Sequence, residues 1–272
     1  MSNDPHLGVA VHAARRAASV IVVAARDIRR RPSHATDRGE IASNAGAEAE
    51  NAIIATLRSA CPEHAIVGKE AGAIAHQMQG GGGRGRQTLK WIVDPIDGAL
   101  NFRHGYPFFA VSIALMDGDE VTLAVVLDPV HDDLFTAVKG KGAQHNGALI
   151  RASACIRLDE ALVGSVLPIR TKLASHLTVE NAIVAQCGDV RRAGACALDL
   201  AYVAAGRLDG VWVMTEHPWD VAAGALIVNE AGGRVGDFSG GTDFQRTNEV
   251  IAAAPGVFNL LREAIAAAVC PN

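Results

Sequence analysis

The sequence predicts a layered α/β chain. Three observations carry that expectation. In the second half, alanine-rich helical stretches alternate with short β-branched runs, the pattern of helices layered on sheets. In the middle, apolar runs are separated by tight Asp/Gly turns, the pattern of paired strands. The composition fits a packed core: of 272 residues, 49% are hydrophobic and 20% charged, which is far from the composition of disordered chains and long enough for one large domain or two closely joined subdomains.

Taken in order, Leu7 to Arg29 reads as a long helix broken at Pro32, and Glu48 to Leu57 as a second helix. His64 to Gly68 reads as a short strand leading into Lys69-Glu70. Gly80 to Arg86 is a glycine-rich run without the Gly-Lys-Ser/Thr ending of a phosphate loop. It is expected to be a connector, with a lid carrying Arg84 or Arg86 as the alternative. Lys90 to Val93 is a strand, Phe109 to Leu115 and Val121 to Leu127 pair around Asp117-Gly118-Asp119, and Leu134 to Val138 is a further strand. Beyond these, Ala161 to Leu167, Val211 to Met214 and Glu249 to Ala253 read as strands. His176 to Gln186, Leu198 to Ala205, Val221 to Glu230 and Val257 to Val269 read as helices. The expected division is residues 1–148, carrying Glu70, Asp94 and Asp97, and residues 149–272, carrying Asp220.

A formal charge of -4 with no dense Lys/Arg block argues against nonspecific nucleic-acid binding. Cys61, Cys155, Cys187, Cys196 and Cys270 form no CxxC pair. The odd count and the lack of a signal peptide point to a reducing cytoplasm. Ala17 to Ala25 is a short apolar stretch between arginines. It reads as a core helix face, so no membrane span is expected.

The most informative run is Trp91-Ile92-Val93-Asp94-Pro95-Ile96-Asp97-Gly98. An apolar strand ends on two carboxylates, Pro95 fixes a torsion and donates no hydrogen bond, and Gly98 frees the turn. Such a rigid pair of hard oxygen ligands suits a magnesium ion and a phosphate ester. Glu70 and Asp220 are the other metal-site candidates. On spacing alone Glu70 reads by default as an isolated surface acid, and Asp220 equally as a cap for the helix that follows Trp219. His104, His131, His145 and His217 are scattered and HExxH is absent, so a zinc site is the poorer fit.

Gly68-Lys69-Glu70, Trp91 through Gly98 and Trp219 through Gly224 resemble the inositol monophosphatase family of magnesium-dependent, lithium-sensitive phosphatases. Lys139 through Ala143, Asn146-Gly147 and Glu230 through Gly233 are similar to further family segments, and the likeness spans roughly residues 10 to 268. It implies a five-layer α/β/α/β/α sandwich, usually a homodimer, acting on a small phosphorylated substrate with two or three Mg2+ ions. By the resemblance, Glu70, Asp94, Asp97 and the Ile96 carbonyl surround the activating metal. Asp94, Asp97 and Asp220 surround a second. The amides of Gly98 and Ala99 hold phosphate, and Val213, Glu216, His217, Gly194, Ala195 and Cys196 are candidates for the substrate edge. The implied activity is hydrolysis of a phosphate monoester by metal-activated water, with inositol monophosphate the default substrate. A sugar phosphate, histidinol phosphate or adenosine bisphosphate is the alternative, as is a weakly active member with a regulatory role.

Four positions depart from the family pattern. Ala99 lacks the usual hydroxyl, which implies reduced turnover with metal binding retained. Val213 cannot accept a hydrogen bond from an inositol hydroxyl. Lys69 replaces the first acid of the usual Gly-Glu-Glu segment. In Ile41 through Gly46, Gly46 or Ala47 stands where an aspartate is expected.

Overall fold

The computed structural model of the chain describes residues 4–32, 37–70, 72–74, 89–166, 173–215, 217–242 and 244–269. The glycine-rich run with Arg84 and Arg86, and Glu216 at the expected substrate edge, lie outside the described residues.

Helix α1 (Pro5–Arg30) begins at Asp4, whose carboxylate accepts the His6 amide, with proline in its first turn. Its alanines at 10, 13, 14 and 17, with Ile21 and Ile28, form the buried stripe. Helix α2 (Arg38–Ala60) answers with Ala45, Gly46, Ala49, Ile53 and Leu57. Small residues on both faces allow close packing. By length and composition alone, the whole of α1 is long and apolar enough to cross a membrane, more than Ala17–Ala25 suggests. In the fold its buried stripe packs against α2 and the first sheet.

The strands of the first sheet are β1 (Ala65–Gly68), β2 (Gly72–Ile74) and β3 (Lys90–Asp97), followed by the short helix α3 (Ala99–His104). They continue through β4 (Ala110–Asp117), β5 (Glu120–Asp128), β6 (Asp133–Val138), β7 (Ala143–His145) and β8 (Ala148–Leu149). Among the described residues they form one eight-stranded sheet in the order β2-β1-β3-β4-β5-β6-β7-β8. Only the β1–β3 pairing in it is parallel.

The second half supplies β9 (Leu162–Val166), α4 (Leu173–Val184), β10 (Asp189–Arg191), α5 (Cys196–Ala204) and β11 (Gly210–Met214). After these come α6 (Ala222–Glu230), β12 (Arg234–Gly236), α7 (Phe244–Thr247), β13 (Glu249–Ala253) and α8 (Pro255–Val269). Among the described residues its five strands order as β10-β9-β11-β13-β12.

The two-residue alternation of strands builds the layers. Trp91, Val93, Ile113 and Val125 point toward α1 and α2. Ile92, Ala114 and Val126 point the other way, where they join α5, α6 and the inner face of the second sheet through Val211, Val213 and Ala252. Trp212, Ile251 and Ala253 face the opposite side of that sheet and pack with Val179, Ile183, Val257 and Leu261 of α4 and α8. The result is the expected α/β/α/β/α sandwich.

Candidate functional site

The site forms where β3 leaves its sheet. The register of β3 against β4 shifts between Asp94 and Asp97, as expected where Pro95 cannot donate to the ladder. Asp94 is fully buried, and its carboxylate accepts the Ile96 amide at 3.0 Å. Gly98 turns the chain with φ +84°. A Cβ there would lie 3.0 Å from the Phe108 carbonyl oxygen and 3.1 Å from the Ala195 methyl, so both torsion and space require glycine. Asn101 on α3 locks this corner, its side-chain amide donating to the carbonyls of Phe108 and Ala193 at 2.7 Å each.

Asp97 crosses to the middle helical layer. Its two oxygens accept the amides of Cys196 at 3.2 Å and Ala197 at 2.8 Å, in the first turn of α5. The carboxylate thereby satisfies amides that α5 cannot satisfy itself, in a position favoured by the helix dipole. Asp220 comes from a short 3-10 turn, Pro218–Asp220, just before α6. It makes no side-chain cap to α6; its carboxylate accepts the Thr215 hydroxyl instead. The helix-cap alternative therefore does not hold for Asp220.

Asp94, Asp97 and Asp220 each present a carboxylate oxygen, and these oxygens lie within 4.8 Å of one another. Glu70 does not belong to this group. It is exposed, and its side chain leans on Gly46, where an added Cβ would meet Oε1 at 3.4 Å. The neighbouring residue reaches the acids instead. Lys69 Nζ lies 3.0 Å from Asp94 Oδ2, 3.3 Å from Asp94 Oδ1 and 3.3 Å from the Ile96 carbonyl oxygen. Buried Glu50 of α2 fixes this choice. Its carboxylate accepts the Glu70 amide at 2.9 Å and packs so tightly on Gly68 that a Cβ there would meet it at 2.6 Å.

Electrostatics follow from this crowding. Burial raises the Asp94 carboxyl to about 6, against the lowering effect of Lys69. Burial, then the proximity of Asp94 and Asp220, pushes Asp97 well above the usual carboxylate range. Burial pulls the Lys69 ammonium down, but Asp94, Asp97 and Asp220 outweigh it and the net shift is upward. With all three carboxyls ionised the corner would carry excess negative charge, only partly offset by one ammonium, and the raised values of Asp94 and Asp97 are the response to that crowding. Its all-oxygen donor set fits a hard divalent cation such as Mg2+. Asp97 and Asp220 are the donors that would hold one such ion. Around Asp94 and the Ile96 carbonyl the donors do not fit a second, because Lys69 already contacts those oxygens. Cys196 is no nucleophile or soft ligand here, since burial first and then Asp97 and Asp220 hold its thiol protonated.

Of the expected substrate-edge residues, Gly194, Ala195 and Cys196 do meet the corner. Gly194 abuts Asn101, an added Cβ falling 3.2 Å from Nδ2, and Cys196 binds Asp97 through its amide. His217 is exposed and stacks on Trp219 at 4.6 Å. Val213, by contrast, is 1% exposed and packs in the apolar core, so it offers no open edge. Ala99 is exposed at the start of α3. Sequence reasoning missed Thr215 and Glu50. Glu50 carried a signal: it is an acid on the buried stripe of α2, four residues after Gly46. A groove of about 830 Å³ lies elsewhere, bordered by Asp119, Lys139, Asn229 and Glu230. Its charges are of mixed sign, and no three of its acids converge as those of the acid corner do among the described residues.

The model of the Inositol monophosphatase family matches residues 2–271. The Nus factor SuhB of Pseudomonas aeruginosa is 41% identical over 262 residues, covering 95% of this chain and 94% of the relative. The crystal structure of the extragenic suppressor protein SuhB from Bartonella henselae superposes with a TM-score of 0.84 at 34% identity, covering 96% of this chain and 98% of that one. An inositol monophosphatase from Anabaena does so with a TM-score of 0.81 at 29% identity, over 96% and 95% of the two chains. With its sandwich shared and residues 2–271 matched by the family model, the chain belongs to the inositol monophosphatase family.

Proposed function

We propose that this protein hydrolyses a small phosphate monoester in a magnesium-dependent reaction, with inositol monophosphate as the default substrate and with low turnover. The observation that carries this reading is the convergence of Asp94, Asp97 and Asp220 on one point from distant parts of the chain. Three carboxylates repel an anionic ester, so their gathering makes chemical sense around a cation. When bound, Mg2+ supplies positive charge for the phosphate oxygens and acidifies a coordinated water. Asp97 and Asp220 would hold it, Asp97 from a position fixed by two α5 amides. Gly98 and Ala99 open α3, where backbone amides lack partners within the helix and suit a phosphate oxygen. Water attacks phosphorus directly and the alkoxide leaves in line; no protein nucleophile is needed, consistent with a protonated, buried Cys196. Low turnover follows from two features. Ala99 has no hydroxyl to orient the water, and exposed Glu70 leaves Lys69, an ammonium that cannot accept a proton, facing Asp94.

Phosphate release tests this. Inositol 1-phosphate, a sugar phosphate, histidinol phosphate and an adenosine bisphosphate are each supplied with and without Mg2+. Magnesium-dependent release from at least one, abolished in Asp220→Asn, is the expected result. No release from any at any magnesium concentration overturns the reading.

A second reading is a Nus factor role, favoured by the name of the Pseudomonas aeruginosa relative and by the ammonium among the acids. It is tested by supplying the wild-type chain and an Asp97→Asn variant to a Pseudomonas aeruginosa strain lacking SuhB. Rescue by both supports a role independent of the acid corner, and rescue by the wild type alone refutes that independence. A cytoplasmic location and a homodimer belong to the same proposal, carried by the family resemblance.

A further inference from the structure

We propose that Lys69 is a tethered cation, its ammonium standing in for one of two divalent ions, so that the site takes up a single ion between Asp97 and Asp220. The inference rests on the cation-binding reading above and goes beyond it by fixing the ion count and naming the residue that sets it.

Three observations carry it. The first is donor occupancy. The Lys69 ammonium meets both oxygens of Asp94 and the Ile96 carbonyl oxygen at 3.0–3.3 Å, matching its three N–H donors to three oxygens. A second divalent ion would need these same hard oxygens at shorter range and would be driven against a like charge. The second is charge. Three carboxylates and one ammonium leave two formal negative charges, which one divalent ion neutralises. The third is rigidity. Asp94 is fully buried and the Lys69 side chain is 29% exposed, so the pair is largely shielded from solvent and from salt. Glu50 pins the turn on both sides of Lys69 through the Gly68 backbone and the Glu70 amide. The ammonium is thereby delivered inward while Glu70 is carried outward.

The test counts ions directly and does not depend on turnover. Bound Mn2+ per chain is measured by equilibrium dialysis with electron paramagnetic resonance of the free ion, for the wild type and for Lys69→Glu. The inference requires Lys69→Glu to bind one ion more than the wild type, with the wild type binding no more than one. Two ions on the wild type, or no gain in Lys69→Glu, overturns it. No ion on either chain overturns the cation-binding reading beneath it, which separates the two failures. Lys69→Met keeps most of the apolar stem and removes the charge together with its three donors, so it serves if the glutamate variant does not fold. It should bind Mn2+ at least tenfold more tightly than the wild type, and an unchanged affinity overturns the inference. Circular dichroism confirms that each variant is folded.

Discussion

Asp199 lies in the first turn of α5, buried, with one carboxylate oxygen lacking a hydrogen-bond partner. Burial raises its carboxyl to about 8. The folded value therefore exceeds the unfolded one, so the folded state holds a proton that the unfolded state has released. Stability is fully present below the unfolded value near pH 4 and is lost as pH rises toward 8, by up to about 1.4 kcal/mol per pH unit. Asp199→Asn removes this titration. Urea midpoints measured from pH 5 to pH 8 in the absence of divalent ions should fall less steeply in the variant than in the wild type. Parallel slopes would show that Asp199 is not the group responsible. Residue by residue, the corner was legible wherever chemistry was local: Asp94, Asp97 and Gly98 stand together because strand, proline and glycine enforce it. The choice between Lys69 and Glu70 was not legible. Adjacent side chains after a strand point opposite ways, and which one points inward is set by Glu50 on a different element.

At the scale of elements, α5 and α6 form the middle layer, and their contact is set by Gly224. A Cβ at this position would lie 2.5 Å from Leu200, inside any normal contact distance. Gly224→Ala gains about 1 kcal/mol of intrinsic helix propensity but overpacks the interface at a cost of roughly 1–3 kcal/mol. The clash involves Leu200 Cβ, which no rotamer change can move, so the cost should win. A net loss of about 1–2 kcal/mol in urea unfolding is expected, and a stabilised variant would show that the helices separate freely. Small residues after Asp220 announced this close packing, and the long helices and the strands of five or more residues were legible for the same reason: they repeat a period several times. The short strands β2, β7, β8, β10 and β12 hold two or three residues each, too few to show a period, and exist through pairing with their neighbours. Helix α2 begins ten residues earlier than its apolar pattern implied, because its first turns pack through small residues, Ala45 and Gly46, which leave no apolar period to read. Long-range agreement appears in Glu230, whose carboxylate accepts the amides of Gly140 and Gly142 at 2.8 and 2.7 Å. It ties together two segments that sequence alone could only mark separately.

Across the whole molecule, the acid corner joins the two sheets. Asp94 and Asp97 hang from the first sheet, α5 receives Asp97, and Asp220 arrives on the chain leaving β11 of the second. Sequence spacing says nothing about this meeting. It follows from strand order and from layering, both of which are set by contacts between residues far apart in the chain. The meeting has an energetic consequence. Without a cation the three carboxylates repel, and burial of Asp94 and Asp97 makes the repulsion poorly screened. An ion that binds only the folded chain stabilises it by mass action, by about 2.7 kcal/mol at a concentration one hundred times its Kd. For a chain of 272 residues that corresponds to a rise in Tm of about 5 °C. Saturating Mg2+ should therefore raise the Tm of the wild type by that amount in differential scanning fluorimetry, and chelation should reverse it. Asp220→Asn keeps the first sheet and the α5 contact of Asp97 but removes the charge contributed by the second half, so its Tm should respond little to Mg2+. An equal rise in the variant would place the stabilising ion elsewhere on the molecule and separate the joining of the two halves from cation binding.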